Sequence, residues 1–285
     1  MTFPNPTIRV RVDPANPGQF FACCGLLELA DRLWPGAEGW FGVGLQDFRT
    51  DFRIACKGTL PKLLAQFASA KLKSSLTDEE LDRLASLLSA EKKSLTRQDE
   101  EDKERLRTKW QQERIHLTAE FDLWLDWWRD SKGERAALKT WAAKQMVFRM
   151  AREMFDIACK QINSGNDLLF FESNDDSLPF NFDSDLCRTG AARDAGFSAD
   201  TLGLKSSYRP LLELLAFIAL QRFQPVETNG NFIYCTWSVP LPPLAASAAA
   251  SGIIAPARSP HYSFGLFNRT KYMKAFLPAT SMKGV

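Results

Sequence analysis

From residue 19 to residue 34 the chain offers only three charged side chains, Glu28, Asp31 and Arg32. Asn16-Pro17 stands just ahead of this run, an N-cap followed by a proline at the first helical position, and Pro35-Gly36 closes it. A helix with so few polar positions must be buried over most of its circumference. The fold therefore has to place other elements on several sides of it. Glu28 and Arg32, four apart in the favourable order, mark its solvent stripe.

The surrounding sequence supplies those elements. Residues 7–12 alternate, with Ile8 and Val10 on one face and Arg9 and Arg11 on the other, which predicts a half-buried strand. After a short strand at 40–41, residues 46–56 place Phe48, Thr50, Phe52 and Ile54 on one face and Asp47, Arg49, Asp51 and Arg53 on the other. Helices are predicted at 61–72, at 77–88 behind a Thr77-x-x-Glu80 capping box, at 134–162 and at 210–223. Residues 115–128 alternate as one long strand, and shorter strands fit 168–171, 180–182, 232–239, 262–267 and 272–277. Residues 174–205 and the Ala/Ser/Pro-rich 241–260 are expected to be loops, the latter with room for a short helix. The sum is an α+β fold: short antiparallel sheets packed with buried helices, plus a charged helical insertion.

The insertion is plain in the charge pattern. Fifteen of the 24 residues from 91 to 114 are charged, with i,i+4 pairs such as Asp99/Lys103 and Glu101/Arg105. The expected division is 1–73, an inserted 74–114, and 115–285, the first and last forming one compact unit. An apolar fraction of 45% and a charged fraction of 25% suit a globular chain and exclude a fibrous or wholly disordered one. No run approaches the ~20 apolar residues that a membrane-spanning helix needs, so no membrane partner is expected. Six cysteines without a C-x-x-C pair, and no signal-peptide pattern at Met1, predict reduced thiols in the cytoplasm.

Catalytic signals are sparse. The chain has two histidines, His116 and His261, and no P-loop or G-x-S-x-G motif. Either histidine could serve as the general base of an RNA-processing endonuclease, but neither has an orienting carboxylate beside it in sequence. Acid pairs such as Glu120/Asp122 and Asp183/Asp185 read as wet strand faces as readily as metal ligands. No catalytic residue, metal or cofactor is expected.

A binding signal is better marked. Glu227 is the last acidic residue, and the 58 residues after it carry Arg258, Arg269, Lys271, Lys274 and Lys283, a local charge of about +5. Tyr262, Phe264, Phe267, Tyr272 and Phe276 interleave with them. Cations mixed with aromatics suit a polyanion with stackable bases. Arg49 and Arg53 would extend such a surface alongside Arg9 and Arg11 if their strands pair.

Three segments together resemble a known family. They are Asn16-Pro17-Gly18-Gln19-Phe20-Phe21-Ala22-Cys23-Cys24-Gly25-Leu26-Leu27-Glu28 with Glu38-Gly39-Trp40-Phe41; Leu125-Asp126-Trp127-Trp128; and Phe182-Asp183-Ser184 through Asp194-Ala195-Gly196-Phe197-Ser198 to Arg209-Pro210-x-x-Glu213-Leu214-Leu215-Ala216. The pattern is similar to the Csb-type subunits of type I-U (I-G) CRISPR–Cas systems, large-subunit-like or RAMP-like components of a Cascade effector. The Gly-rich loop common near the C-terminus of RAMP proteins has no counterpart, because Gly265 stands alone. The resemblance implies a non-catalytic ribonucleoprotein subunit that holds guide RNA or target DNA beside other Cas subunits. Arg188, Arg193 and Arg209 lie in or next to its third segment and are expected phosphate contacts, Arg209 just ahead of a helix N-terminus. The remaining alternative is a protein–protein scaffold with Trp124, Trp127 or Trp128 as exposed interface anchors.

Overall fold

The computed structural model describes residues 3–43, 50–91, 94–129, 136–142, 145–164, 169–174, 177–189, 207–254, 259–268 and 274–282, the side chains of 187–189 excepted. The fold is α+β, with short antiparallel sheets packed on helices. Its axis is α1 (Pro17–Leu33), in which every residue from Pro17 to Ala30 is buried. Asn16 caps it as the sequence predicts, its side chain accepting from the Gln19 N–H.

One side of α1 is covered by α7 (Pro210–Ala219), which is buried along its whole length. The two helices touch backbone to backbone: a Cβ built on Gly25 would stand 2.1 Å from the Leu215 carbonyl oxygen. On another side lies the sheet β1–β3–β2, made of β1 (Ile8–Val12), β2 (Glu38–Val43) and β3 (Thr50–Ala55). Ile8, Val10, Val12, Phe41, Phe52 and Ile54 fill its inner face. The register sets Arg9 opposite Arg53 and Arg11 opposite Asp51, so the charged rows do share the outer face.

A four-stranded sheet, β12–β9–β8–β7, closes a third side with β7 (Val226–Thr228), β8 (Asn231–Cys235), β9 (His261–Phe264) and β12 (Thr280–Met282). Phe20 stacks on Tyr234 at 4.2 Å and Phe21 packs edge-on against Phe264 and Phe276. Trp237 joins this sheet to the first: its indole donates to the Gly39 carbonyl at 2.6 Å while its own carbonyl accepts from Phe41. Residues 241–260 are not simply a loop. They contain α8 (Pro243–Ala250), whose Ala246 and Ala249 are fully buried, because alanine lets a helix pack closely where larger side chains would not fit. β10 (Leu266–Asn268) pairs with β11 (Lys274–Phe276) as a small separate ribbon.

Five other expected elements come out differently. The helix expected at 61–72 stops at the end of α2 (Leu60–Ala68), and Lys71–Ser74 becomes strand β4. The long strand at 115–128 is a hairpin, β5 (Ile115–Thr118) and β6 (Asp122–Leu125), joined through residues 119–121. Its register pairs odd residues with odd, Ile115 with Leu125 and Leu117 with Leu123, so the alternation runs through the turn unbroken. That is why the two arms look like one strand in sequence. The helix expected from 134 is found as α5 (Val147–Ser164); ahead of it Leu138 is buried and Trp141 joins an aromatic cluster with Trp127, Trp128, Phe180 and Phe217. Neither 168–171 nor 180–182 forms a described strand; Asn181 takes a left-handed φ of 64°, which ends extended structure there.

The charged segment is a helical hairpin of α3 (Asp78–Ser89) and α4 (Arg97–Gln111), entered and left through the paired strands β4 and β5. Thr77 and Glu80 form the expected capping box. Arg83 pairs with Asp99 and Lys109 with Glu80 between the two helices, while Arg149 and Arg152 of α5 reach Asp82 and Asp78. Cys23 and Cys24 are buried thiols, and burial pushes both well above the usual thiol range. Among the described residues, no helix is long and apolar enough to cross a membrane.

Candidate nucleic-acid interface

Residues of the first and third of the segments quoted above meet at one buried polar cluster. Asn16 donates to Asp183 at 2.7 Å, and its oxygen accepts from the Ser184 N–H. Glu213, 1% exposed, accepts from the Phe182 and Asp183 N–H groups at 3.1 Å. Gln19 reaches Asp185 at 3.1 Å from the first turn of α1. Gly18 lets the 182–183 backbone lie against that turn, since a Cβ there would stand 2.6 Å from the Phe182 carbonyl oxygen. These residues clip the entry to α6 (Ser184–Thr189) onto the N-termini of α1 and α7. Burial pushes the Asp183 carboxyl up, against the lowering effect of the Asn16 hydrogen bond and the Arg209 charge.

Arg209 belongs to this clip and not to a phosphate surface. Its guanidinium lies 2.9 Å from Asp183 and 3.1 Å from Glu172, and the side chain is only 14% exposed. Arg53 is likewise engaged within the fold, donating to the Val43 carbonyl at 2.6 Å with Asp51 at 3.8 Å. Lys274 sits on β11, opposite Asn268, with a partly exposed side chain. Arg49, Arg193, Arg258, Arg269 and Lys271 lie outside the described residues, as does the side chain of Arg188. The acid-free tail is therefore represented in the described structure by Lys274 alone among its expected contacts.

Trp127 and Trp128 are also inside. They are each 7% exposed and pack with Trp141 and Phe217, which stacks in turn on Phe180, and the Trp127 indole donates to the Phe217 carbonyl at 2.9 Å. Of the three tryptophans expected as anchors, Trp124 is the exposed one, at 41%.

Basic and aromatic side chains gather around it. The sheet β4–β5–β6 buries Ile115, Leu117, Leu123 and Leu125 on one face. Its other face carries two cross-strand rows, Lys73–His116–Trp124 and Lys71–Thr118–Asp122. Lys71 and Lys73 are exposed, and among the described residues neither has a carboxylate within ion-pair distance. His116 lies parallel to Trp124, ring centroids 4.0 Å apart, and the Arg114 guanidinium stands 5.0 Å from the indole centroid. Arg114 is held by Asp126 at 3.1 Å.

His116 also has a partner that is invisible in sequence order. Its Nε2 is hydrogen-bonded to the Asp122 carboxylate across the hairpin. His261, on β9 between Cys235 and Met282, has no carboxylate within ion-pair distance among the described residues. Also among them, no group of three or more His, Cys, Asp or Glu residues could hold a metal ion.

Sequence reasoning weighed His116 and Trp124 separately and missed Lys71, Lys73 and Arg114. The signal that could have found them is the alternation Lys71-Leu72-Lys73, read as strand instead of helix end. Comparison with known proteins gives no match to a family model, to a curated protein or to a solved structure.

Proposed function

We propose that this chain is a nucleic-acid-binding subunit of a type I CRISPR surveillance complex, non-catalytic and cytoplasmic, which holds guide RNA or target DNA beside other Cas subunits. The observation that carries the binding half of this reading is the open face of β4–β5–β6, where two exposed lysines, with no ion-pair partner among the described residues, share a face with an exposed tryptophan in contact with His116 and Arg114. An open sheet face with aromatics and cations suits single strands: phosphates meet the lysines while bases stack on aromatic or guanidinium planes. The CRISPR assignment rests on the sequence resemblance.

A net charge of +2 fits a subunit whose affinity comes largely from assembly. Neighbouring subunits would hold its modest patch at high effective concentration against the same strand.

The test is binding of a labelled single-stranded RNA followed through a salt titration. Affinity should fall steeply with salt, and Lys71→Ala with Lys73→Ala should reduce the logarithmic slope by about 1.4, two phosphate contacts at ~0.7 each. Binding that is absent or insensitive to salt, together with tight association with another Cas subunit, would leave a scaffold role in its place.

A second reading has one observation in its favour. Asp122 gives His116 the orienting carboxylate that a general base uses. Specific cleavage of repeat RNA that is lost in His116→Ala would establish that reading over the non-catalytic one.

A further inference from the structure

A cavity of about 620 Å³ lies where β1, α1, α2, α7 and the end of α5 meet, a size that suits a small molecule. Its lining sorts by depth. Val10, Leu26, Leu64, Leu169 and Leu211 are buried and give it an aliphatic interior drawn from distant parts of the chain. The polar groups that line it, Arg9, Arg11 and Asn163, all stand at exposed positions.

Those three differ in what they offer a ligand. Arg11 stands opposite Asp51 in the sheet and already makes an interaction of its own. Arg9 stands opposite Arg53, a like charge, and among the described residues it has no carboxylate within ion-pair distance. Asn163, one residue from the end of α5, is a neutral donor that brings no opposing charge. Among the described residues no carboxylate lines the cavity.

An aliphatic interior gains from a guest that displaces water from its leucines, and a guanidinium at the exposed part of the lining gains from a carboxylate. One available cation suits a singly charged head group better than a phosphate. We infer that the cavity binds a small aliphatic carboxylate, with its hydrocarbon chain among the leucines and its head group at Arg9. A nucleobase fits the interior poorly, because its ring donors and acceptors would be buried against leucine without partners. The inference stands apart from the proposed nucleic-acid function and holds or fails independently of it.

The experiment uses the full chain and octanoate, with binding followed by ligand-detected NMR titration. Comparison probes are hexanoate, octanol and octyltrimethylammonium. Hexanoate should bind about sixteenfold more weakly than octanoate, roughly fourfold for each methylene removed. Octanol should bind about tenfold or more below octanoate, and the cation more weakly still. Arg9→Gln should weaken octanoate by about tenfold or more while leaving octanol unchanged. Ala65→Trp, which fills the cavity from an exposed lining position, should abolish the binding of both. Thermal melts of both variants without ligand should match the parent, and the comparison of probes on the parent chain depends on neither variant. Phosphatidylglycerol vesicles should not sediment the chain, which separates a free acid from a membrane lipid. Octanol or the cation bound as tightly as octanoate, octanoate affinity unchanged in Arg9→Gln, no octanoate binding at about 1 mM, or vesicle binding lost in Arg9→Gln would each overturn the inference.

Discussion

Arg209 Nη1 lies 2.9 Å from Asp183 Oδ2, and the Asp183 side chain is 1% exposed. The pair joins the residue ahead of α7 to the residue ahead of α6, and Asn16, ahead of α1, holds the other carboxylate oxygen. Three helix starts are thus tied through one buried charge. Removing one partner of such a pair strands the other charge in a dry site.

Arg209→Ala is therefore expected to cost about 3–5 kcal/mol in urea unfolding. Adding Asp183→Asn to that variant should recover part of the loss, because the neutral amide needs no counter-charge. Where Arg209→Lys folds, nucleic-acid affinity should stay at the parental level. A specific loss of RNA binding without loss of stability would return Arg209 to the surface role the sequence suggested.

Gly25→Ala should be among the most damaging single substitutions in the chain. The added methyl would stand 2.1 Å from the Leu215 carbonyl oxygen, and backbone cannot rotate away as a side chain can. A loss of about 3 kcal/mol or more, seen as a lower unfolding midpoint, is expected.

Glu113 gives stability a pH dependence of its own. It is fully buried beside the base of the charged hairpin, accepts from Ser74 Oγ at 2.6 Å, and has a second oxygen with no partner. Burial pushes its carboxyl up from 4.5 to about 7, against smaller lowering effects from Ser74, Trp110 and Lys139. Between those two values the folded chain holds a proton that the unfolded chain has released. The contribution is therefore complete below about pH 4.5 and is lost as pH rises through about 7. The span corresponds to about 3 kcal/mol. Glu113→Gln should flatten this slope and be more stable than the parent at about pH 8, as read by urea unfolding across the range. An unchanged slope would place the titration elsewhere.

The tryptophans should separate cleanly. Trp127→Ala is expected to destabilise by about 3–5 kcal/mol, since it empties the centre of an aromatic cluster and removes the bond to Phe217. Trp124→Ala should cost less than about 1 kcal/mol and instead weaken single-strand binding by about 1–3 kcal/mol. Iodide should quench Trp124 in the parent and lose most of its effect in the Trp124→Ala variant.

Much of the fold could be read from local rules because local rules govern it. The Asn16-Pro17 helix start, the Thr77/Glu80 capping box and the alternation around Phe52 and Ile54 are written within a few residues of where they act. The site was less legible. Lys71 and Lys73 end an apparently helical stretch, and they join His116 and Trp124 only because β4 pairs with β5 across the whole inserted hairpin.

By itself the sequence determined that α1 must be buried over most of its circumference, that short amphipathic strands clothe it, and that the charged segment stands as helices. Periodicity and capping carry that information, and both act over a turn or two. That Glu28, expected on a solvent stripe, is buried between Arg32 and Arg222 came from the tertiary structure. Tertiary structure alone decided which cations find a partner among the described residues. Arg209 and Arg53 look like Lys71 and Lys73 in a list of basic residues, but their partners arrive from distant segments or from the neighbouring strand once the chain is folded. Charge is a property of a residue, whereas an unpaired charge is a property of a packed chain.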